Sequence, residues 1–396
     1  MDFEKKNNVY KMVMLVTVTA LVTFLITAIG MYNYFIKTED GLAKILVTTE
    51  TTQLDTRIQL IREYLDKFYL GDINDDDLLE SAVKGYVEGL GDEYTEYLTK
   101  DEYEELMVDV NGSFVGIGVY MTQDKEENVL ILLPIEGSPA EEAGLKTGDI
   151  IKKVNGEECT GMDLSIVANK VKGEEGTTVN LEILRDGETI NKTIERRTVQ
   201  INHIKSEVLS NNVGYIQILA FDDGSSEEFK TKLSELLDKN VDSLIIDVRD
   251  NGGGIVTEAI NIAELFVPKD EIIMIQSDKT GKEEITKSKE DAIIKSNLNI
   301  VVLTNENSAS ASEILVGALR DNDLCKVVGI KTYGKGVMQE IVPLSSGGAL
   351  KLTIEEFRTP NNNVINKKGI EPDIEIKENE DTEVDEQLQK AIEILK

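Results

Sequence analysis

Met12 to Ile36, MVMLVTVTALVTFLITAIGMYNYFI, is a run of 25 residues without a charge. As a helix it rises about 1.5 Å per residue, enough to cross a hydrocarbon layer about 30 Å thick. Lys5, Lys6 and Lys11 precede it, whereas Lys37 is followed closely by Glu39 and Asp40. That asymmetry predicts a transmembrane anchor, with the N-terminus cytoplasmic and everything beyond residue 37 outside the cell membrane. Tyr32, Tyr34 and Phe35 suit the outer interface. The competing expectation is a cleaved signal peptide with Ala28-Ile29-Gly30 as its small-x-small site, although the apolar run is longer than such segments usually are.

Beyond the anchor the chain is acidic. Its net charge of −32 argues against nucleic acid as a partner, because neutralising phosphates needs a basic surface. Cys159 and Cys325 lie far apart and make neither a disulfide framework nor a metal cluster; both read as small buried hydrophobes. A single histidine, His203, leaves an ordinary Ser-His-Asp arrangement one candidate base.

Residues 38–111 read as a helical arm, with Leu54, Ile58, Ile61, Leu65 and Tyr69 at helical spacing. Its role is either a spacer or a surface for a homodimer. From Ser113 the pattern changes to short strands punctuated by glycine. A capped turn (SPAEEAGL), a strand ending at Asn155-Gly156, an amphipathic helix (DLSIVANKVKG) and a hairpin turning at Asp186-Gly187 follow. The predicted small domain covers 112–198. Residues 199–376 alternate apolar strands with helices, which argues for an α/β sheet covered by helices, then a strand-rich extension. Residues 377–396 read as an acidic C-terminal helix. The expected fold class is therefore an α/β core plus a β-rich domain behind an N-terminal transmembrane helix.

Three loops after predicted strands carry unusual residues: DVRDNGGG (247–254), NENSASASE (305–313) and KTYGKGVMQE (331–340). Sheets of this kind place their sites at such strand ends. Ser310 is expected at a helix start, where free N–H groups favour a developing oxyanion. Ala311 could supply one such group and the glycines 252–254 another. Alternatively, Ser308, Ser310 and Ser312 are only caps and small packing residues. Lys335 lies between two glycines, which suits a lysine turned inward; desolvation would favour its neutral form and make it a general base. In an extended segment Lys335 and Gln339 would share a face, so that Gln339 could orient the amine.

Val115–Val119 (VGIGV) and Gly137–Gly156 resemble a PDZ domain. Its carboxylate-binding loop would be Val115, Gly116, Ile117, Gly118 and Val119, and the helix Asp163–Val171 would flank its groove. The resemblance implies a polypeptide C-terminus with apolar side chains as ligand, added as a strand beside the loop. Lys172 stands where an arginine is common.

From about Leu90 to about residue 376 the chain resembles the C-terminal processing peptidases, or tail-specific proteases, on its SASASE and YGKG motifs and on a spacing of 25 positions from Ser310 to Lys335. The resemblance implies a serine-type endopeptidase with Ser310 as nucleophile, Lys335 as general base and Gln339 assisting it. It also implies an oxyanion side built from Gly253, Gly254 and Ala311, and no metal or cofactor. Gly252 replaces a proline or serine common in the family, while Asn251, Gly253 and Gly254 are kept. His203 is expected to be structural. Two other readings remain: a silent peptide-binding scaffold, and a thioester-processing enzyme, which would need a coenzyme pocket in place of a PDZ module.

Overall fold

In the computed structural model the residues described are 39–110, 112–294, 298–345, 347–377 and 384–396; side chains of 39–53 and of residue 109 are not described. The expected transmembrane segment, 12–36, lies outside them. Among the described residues no helix is long and apolar enough to cross a membrane.

The chain divides into two compact units, up to Leu79 and from Glu80 onward. The first contains α1 (Glu39–Phe68) and the start of α2 (Asp75–Glu88). Leu54, Ile58, Ile61 and Tyr69 do fall on a helix or at its end, and all four are exposed.

The second unit begins inside the stretch expected as a helical arm. After α2 come β1 (Glu96–Leu98) and α3 (Lys100–Val110). Then follow β2 (Ser113–Gly116), β3 (Val119–Gln123), β4 (Val129–Pro134), α4 (Pro139–Glu142), β5 (Ile150–Val154) and β6 (Glu157–Glu158). The small domain is completed by α5 (Leu164–Val171), β7 (Thr178–Arg185), β8 (Glu188–Glu195) and β9 (Arg197–Gln200). Strands β3-β4-β5-β7-β8 form an antiparallel sheet with β6 beside β5. In β7 the alternation is what buries it: Val179, Leu181 and Ile183 enter a core with Ile131, Ile151 and Val167, while Thr178 and Asn180 face solvent. The β7–β8 turn puts Asp186 at φ 52° and Gly187 at φ 84°, the doubly left-handed geometry whose twist matches a hairpin.

The α/β core follows. It comprises β10 (Ile204–Val208), β11 (Val213–Ile218), α6 (Ser225–Asp238), β12 (Ser243–Asp247) and α7 (Val256–Glu264). It continues through β13 (Ile272–Asp278), β14 (Glu283–Lys287), β15 (Asn299–Thr304), α8 (Ala311–Asp321) and β16 (Lys326–Gly329). The chain closes with β17 (Val337–Pro343), β18 (Ala349–Arg358), β19 (Ile374–Glu375) and α9 (Glu386–Ile394). One sheet runs β10-β11-β12-β15-β16-β19 and is parallel except for β10. Every residue of β12 is buried, as a strand covered on both faces requires. Phe229 of α6, Ile262 of α7 and Leu315 of α8 share one core with Ile246 and Val302; Ala391 of α9 shares another with Ile245 and Val301. A second sheet joins β17, β18, β13 and β14, with β1 added to β18. Two of its strands, β17 and β18, are the expected strand-rich extension; β13 and β14 come from within the α/β alternation and β1 from ahead of the PDZ-like region.

Candidate active site

The loops after β12, β15 and β16 are laced into one platform. Asp250 accepts hydrogen bonds from the side-chain amides of Asn305 and Asn307, both at 2.8 Å. Ala309 N–H donates to Asn251 O at 3.0 Å, and Tyr333 N–H to Ser308 O at 3.0 Å. Two of the three serines are consumed by this lacing: Ser308 Oγ donates to Val248 O (2.8 Å) and Ser312 Oγ to Asn251 O (2.9 Å). Both are fully buried. Capping and packing therefore describe Ser308 and Ser312.

Ser310 stands apart in its backbone. It precedes α8 with φ 56° and ψ −113°, a region where an L-residue is strained and which recurs where structure holds a functional group in place. A glycine makes that turn possible: a Cβ at Gly253 would lie 2.8 Å from Ser310 Cβ and 3.0 Å from Ala311 N. Ala311 is thus brought against the glycine loop. The N–H of Gly253, however, donates to Asn251 Oδ1 at 2.8 Å. Gly254 meets Phe221 instead, where a Cβ would come within 2.5 Å of the carbonyl oxygen.

Glu313, which the motif reading passed over, joins Ser310 to the lysine loop. Its Oε2 accepts from Ser310 N–H (3.0 Å) and Lys335 N–H (2.9 Å); its Oε1 accepts from Thr332 Oγ (2.6 Å) and Gly334 N–H (2.8 Å). The side chain is fully buried, and that burial holds its pKa above the ordinary carboxylate value against four donors that favour the anion. The signal was in the sequence: Ser310-x-x-Glu313 is a capping-box spacing at a helix start.

The glycines around Lys335 have separate reasons. Gly334 has φ 94°, and a Cβ at Gly336 would lie 2.2 Å from Asn366 N. The half-buried Lys335 has its pKa pushed down, chiefly by desolvation and then by the positive charge of Lys351, with Glu96 and Glu93 opposing. The face of Tyr94 lies under Nζ at 4.8 Å. The extended stretch expected to run from Lys335 through Gln339 is a strand only in its second part. β17 begins only at Val337, so Lys335 lies ahead of the strand that carries Gln339; the slip in pairing at Met338/Gln339 leaves its extra residue, Ile354, in β18. Gln339 Nε2 is nonetheless buried and has no partner among the described residues. An open cleft of about 400 Å³ is bounded by Lys335, Tyr94, Tyr333, Asp250, Gly252, Asn307 and Ala309. A larger cavity of about 660 Å³, bordered by Phe266, Leu324 and Leu395, shares none of these residues.

His203 is buried elsewhere, its Nδ1 3.3 Å from Asp222 and its Nε2 facing Gly112. It takes no place in the cleft. Of the expected peptide-binding loop, Gly116, Ile117, Gly118 and Val119 line a separate groove of about 190 Å³ with Lys172, Met121, Ala168 and Val171. Val115 is not among its walls; it pairs with Thr198 in the β2–β9 ladder. Gly118, at φ 79°, could carry no side chain, since Ser138 Cβ would lie 2.3 Å from it.

The sequence profile of Peptidase family S41 matches residues 212–376, and that of a PDZ domain residues 130–185. The chain is 33% identical over 90% of its length to a probable CtpA-like serine protease of Staphylococcus aureus strain MRSA252, of which it covers 71%. It is 34% identical over 83% of its length to that of Staphylococcus haemolyticus strain JCSC1435, covering 66% of it. It therefore spans about two thirds of the length of these relatives. The photosystem II D1 C-terminal processing protease is 28% identical and superimposes with a TM-score of 0.49 over 81% of this chain and 86% of its own. By its sequence relatives and its two matched regions, the chain belongs to peptidase family S41, the CtpA-like serine proteases, and carries a PDZ domain ahead of the peptidase core.

Proposed function

We propose that this protein is a membrane-anchored endopeptidase that captures polypeptide C-termini in its PDZ groove and cleaves them through an acyl-enzyme on Ser310. Neutral Lys335 takes the Ser310 hydroxyl proton as Oγ attacks the scissile carbonyl. The resulting oxyanion faces Ala311 N–H at the start of α8, where the helix dipole favours negative charge. The lysine ammonium returns its proton to the leaving amine; water, deprotonated by the same amine, then resolves the ester. Gln339, whose buried amide nitrogen has no partner among the described residues, is the assisting residue. Ile117, Val119, Met121 and Val171 make the PDZ groove apolar, which suits an apolar C-terminus. The uncharged stretch 12–36 supplies the anchor.

The observation that carries this reading is the Glu313 clamp. One buried carboxylate holds the backbone of a strained serine and that of a half-buried lysine together. With a peptide ending in a free apolar C-terminus, Ser310→Ala and Lys335→Ala should each lower turnover by about a thousandfold or more while leaving peptide binding intact, because the pair acts as one unit. Ser308→Ala and Ser312→Ala should keep most activity. An active Ser310→Ala would sink the assignment. Peptide binding without turnover in the wild type would favour a silent scaffold instead.

A further inference from the structure

Tyr94 comes from a segment 241 positions before Lys335 and belongs to neither matched region. Its placement is nonetheless well determined. Asp92 accepts a hydrogen bond from Thr95 Oγ, and Thr95 Oγ accepts one from Thr353 N–H at 3.0 Å. Just beyond, β1 pairs with β18, with Glu96 opposite Lys351 and an ion pair between them at 2.8 Å. The segment that delivers Lys335 runs straight into β17, which pairs with the same β18. One strand therefore sets the height of both the ring and the amine.

We propose that Tyr94 is a positioning residue for Lys335: its ring is the wall that keeps water from Nζ and fixes where the amine sits in the cleft. The proposal rests on the Ser310–Lys335 reading above. The ring acts on the amine in two opposed ways. Its π face attracts the ammonium, favouring the charged form by a factor of about thirty; burial disfavours that form by about a thousandfold or more when complete. Burial is the largest of the influences that push the Lys335 pKa down. Other charges facing the site are Lys351, which also favours the neutral amine, and Glu93 and Glu96, which oppose it. Asp250 borders the same cleft, and Glu313 holds the lysine's own backbone N–H. The phenol of Tyr94 interacts with Glu93 and Tyr333, so the ring and not the hydroxyl is left to cover the amine.

The test is the pH dependence of Ser310 labelling by a fluorophosphonate in the full chain, with the labelled residue identified by mass spectrometry. Wild type should be labelled at Ser310 with a rate that rises with pH, and Tyr94→Phe should keep that profile to within about twofold. In Tyr94→Ala the rising limb should move to higher pH, each pH unit meaning about a tenfold loss below it, with the rate largely recovered on the alkaline plateau. If Tyr94→Ala does not melt cooperatively, Tyr94→Gln, which places an amide dipole beside the ammonium, should move the limb in the same direction. A limb that stays in place or moves to lower pH, or an equal loss at every pH, overturns the proposal while the Ser310–Lys335 reading stands. No labelling of Ser310 in wild type, or an unchanged limb in Lys335→Met, brings down that reading and the proposal with it.

Discussion

At the scale of single residues, function here depends on what a side chain is free to do. Ser308, Ser310 and Ser312 are chemically identical and two apart in sequence. Two spend their hydroxyls on carbonyls of the neighbouring loop, at 2.8 and 2.9 Å, and the third sits on a strained turn at a helix start. Replacing Ser308 or Ser312 by alanine removes one of two hydrogen bonds to a buried carbonyl, since Val248 O keeps Asn251 N–H and Asn251 O keeps Ala309 N–H, and costs about 0.5–1.5 kcal/mol of stability. For Lys335 the decisive property is its proton affinity. A free lysine, with a pKa of about 10.4, holds its proton almost completely at neutral pH. The folded-state value is lowered, so the neutral amine gains population as pH climbs through that lowered value, and with Lys335 as the proposed base the rate should rise with it. His203, buried against Asp222, should contribute nothing to that limb. His203→Gln is expected to leave the limb of a peptide-cleavage pH profile where it was; a lost limb would make the histidine the base.

At the scale of elements, the site is a junction of three loops held by the strands beneath them. Arg249, next in chain to the glycine loop, donates to Asp247 (2.6 Å) and to Asp385 (2.8 Å), the N-cap of α9. The last helix is thereby tied to the loop that supports Ser310. On the other side, Gly336 lets the lysine loop pass against residue 366. Gly336→Ala would set a methyl 2.2 Å from Asn366 N and 2.7 Å from its Cα, contacts with backbone that no side-chain rotation relieves. The expected cost is about 1–3 kcal/mol, together with displacement of Lys335. Thermal melting and peptide turnover should therefore both fall. Unchanged turnover would show that the lysine tolerates movement of its own loop.

At the scale of the whole molecule, a PDZ domain, a peptidase core and an uncharged N-terminal stretch share one chain. If residues 12–36 anchor it, the mature protein should partition with membranes, with its bulk open to externally added protease. N-terminal sequencing of that fraction is the check; a soluble extracellular form starting near Met31 would instead mean a cleaved signal peptide.

Much of this was legible before any coordinates. The alternation in TVNLEIL, the Asp186-Gly187 turn and the short apolar run LII within SLIID specified strands and their burial, because local side-chain patterning decides which face can leave water. The motifs placed Ser310 and Lys335 on loops after strands for the same reason. What sequence could not decide depended on contacts between distant segments. The start of β17 only at Val337, past Lys335, and the extra residue Ile354 in its partner β18 are set by pairing between the two strands. Glu313 accepts from a loop twenty positions on, and Tyr94 reaches Lys335 from ahead of the PDZ domain. Periodicity records how a residue stands to its neighbours in the chain. Which hydroxyl is already bonded, and which amine is dry, is set by partners brought close only when the sheets have formed.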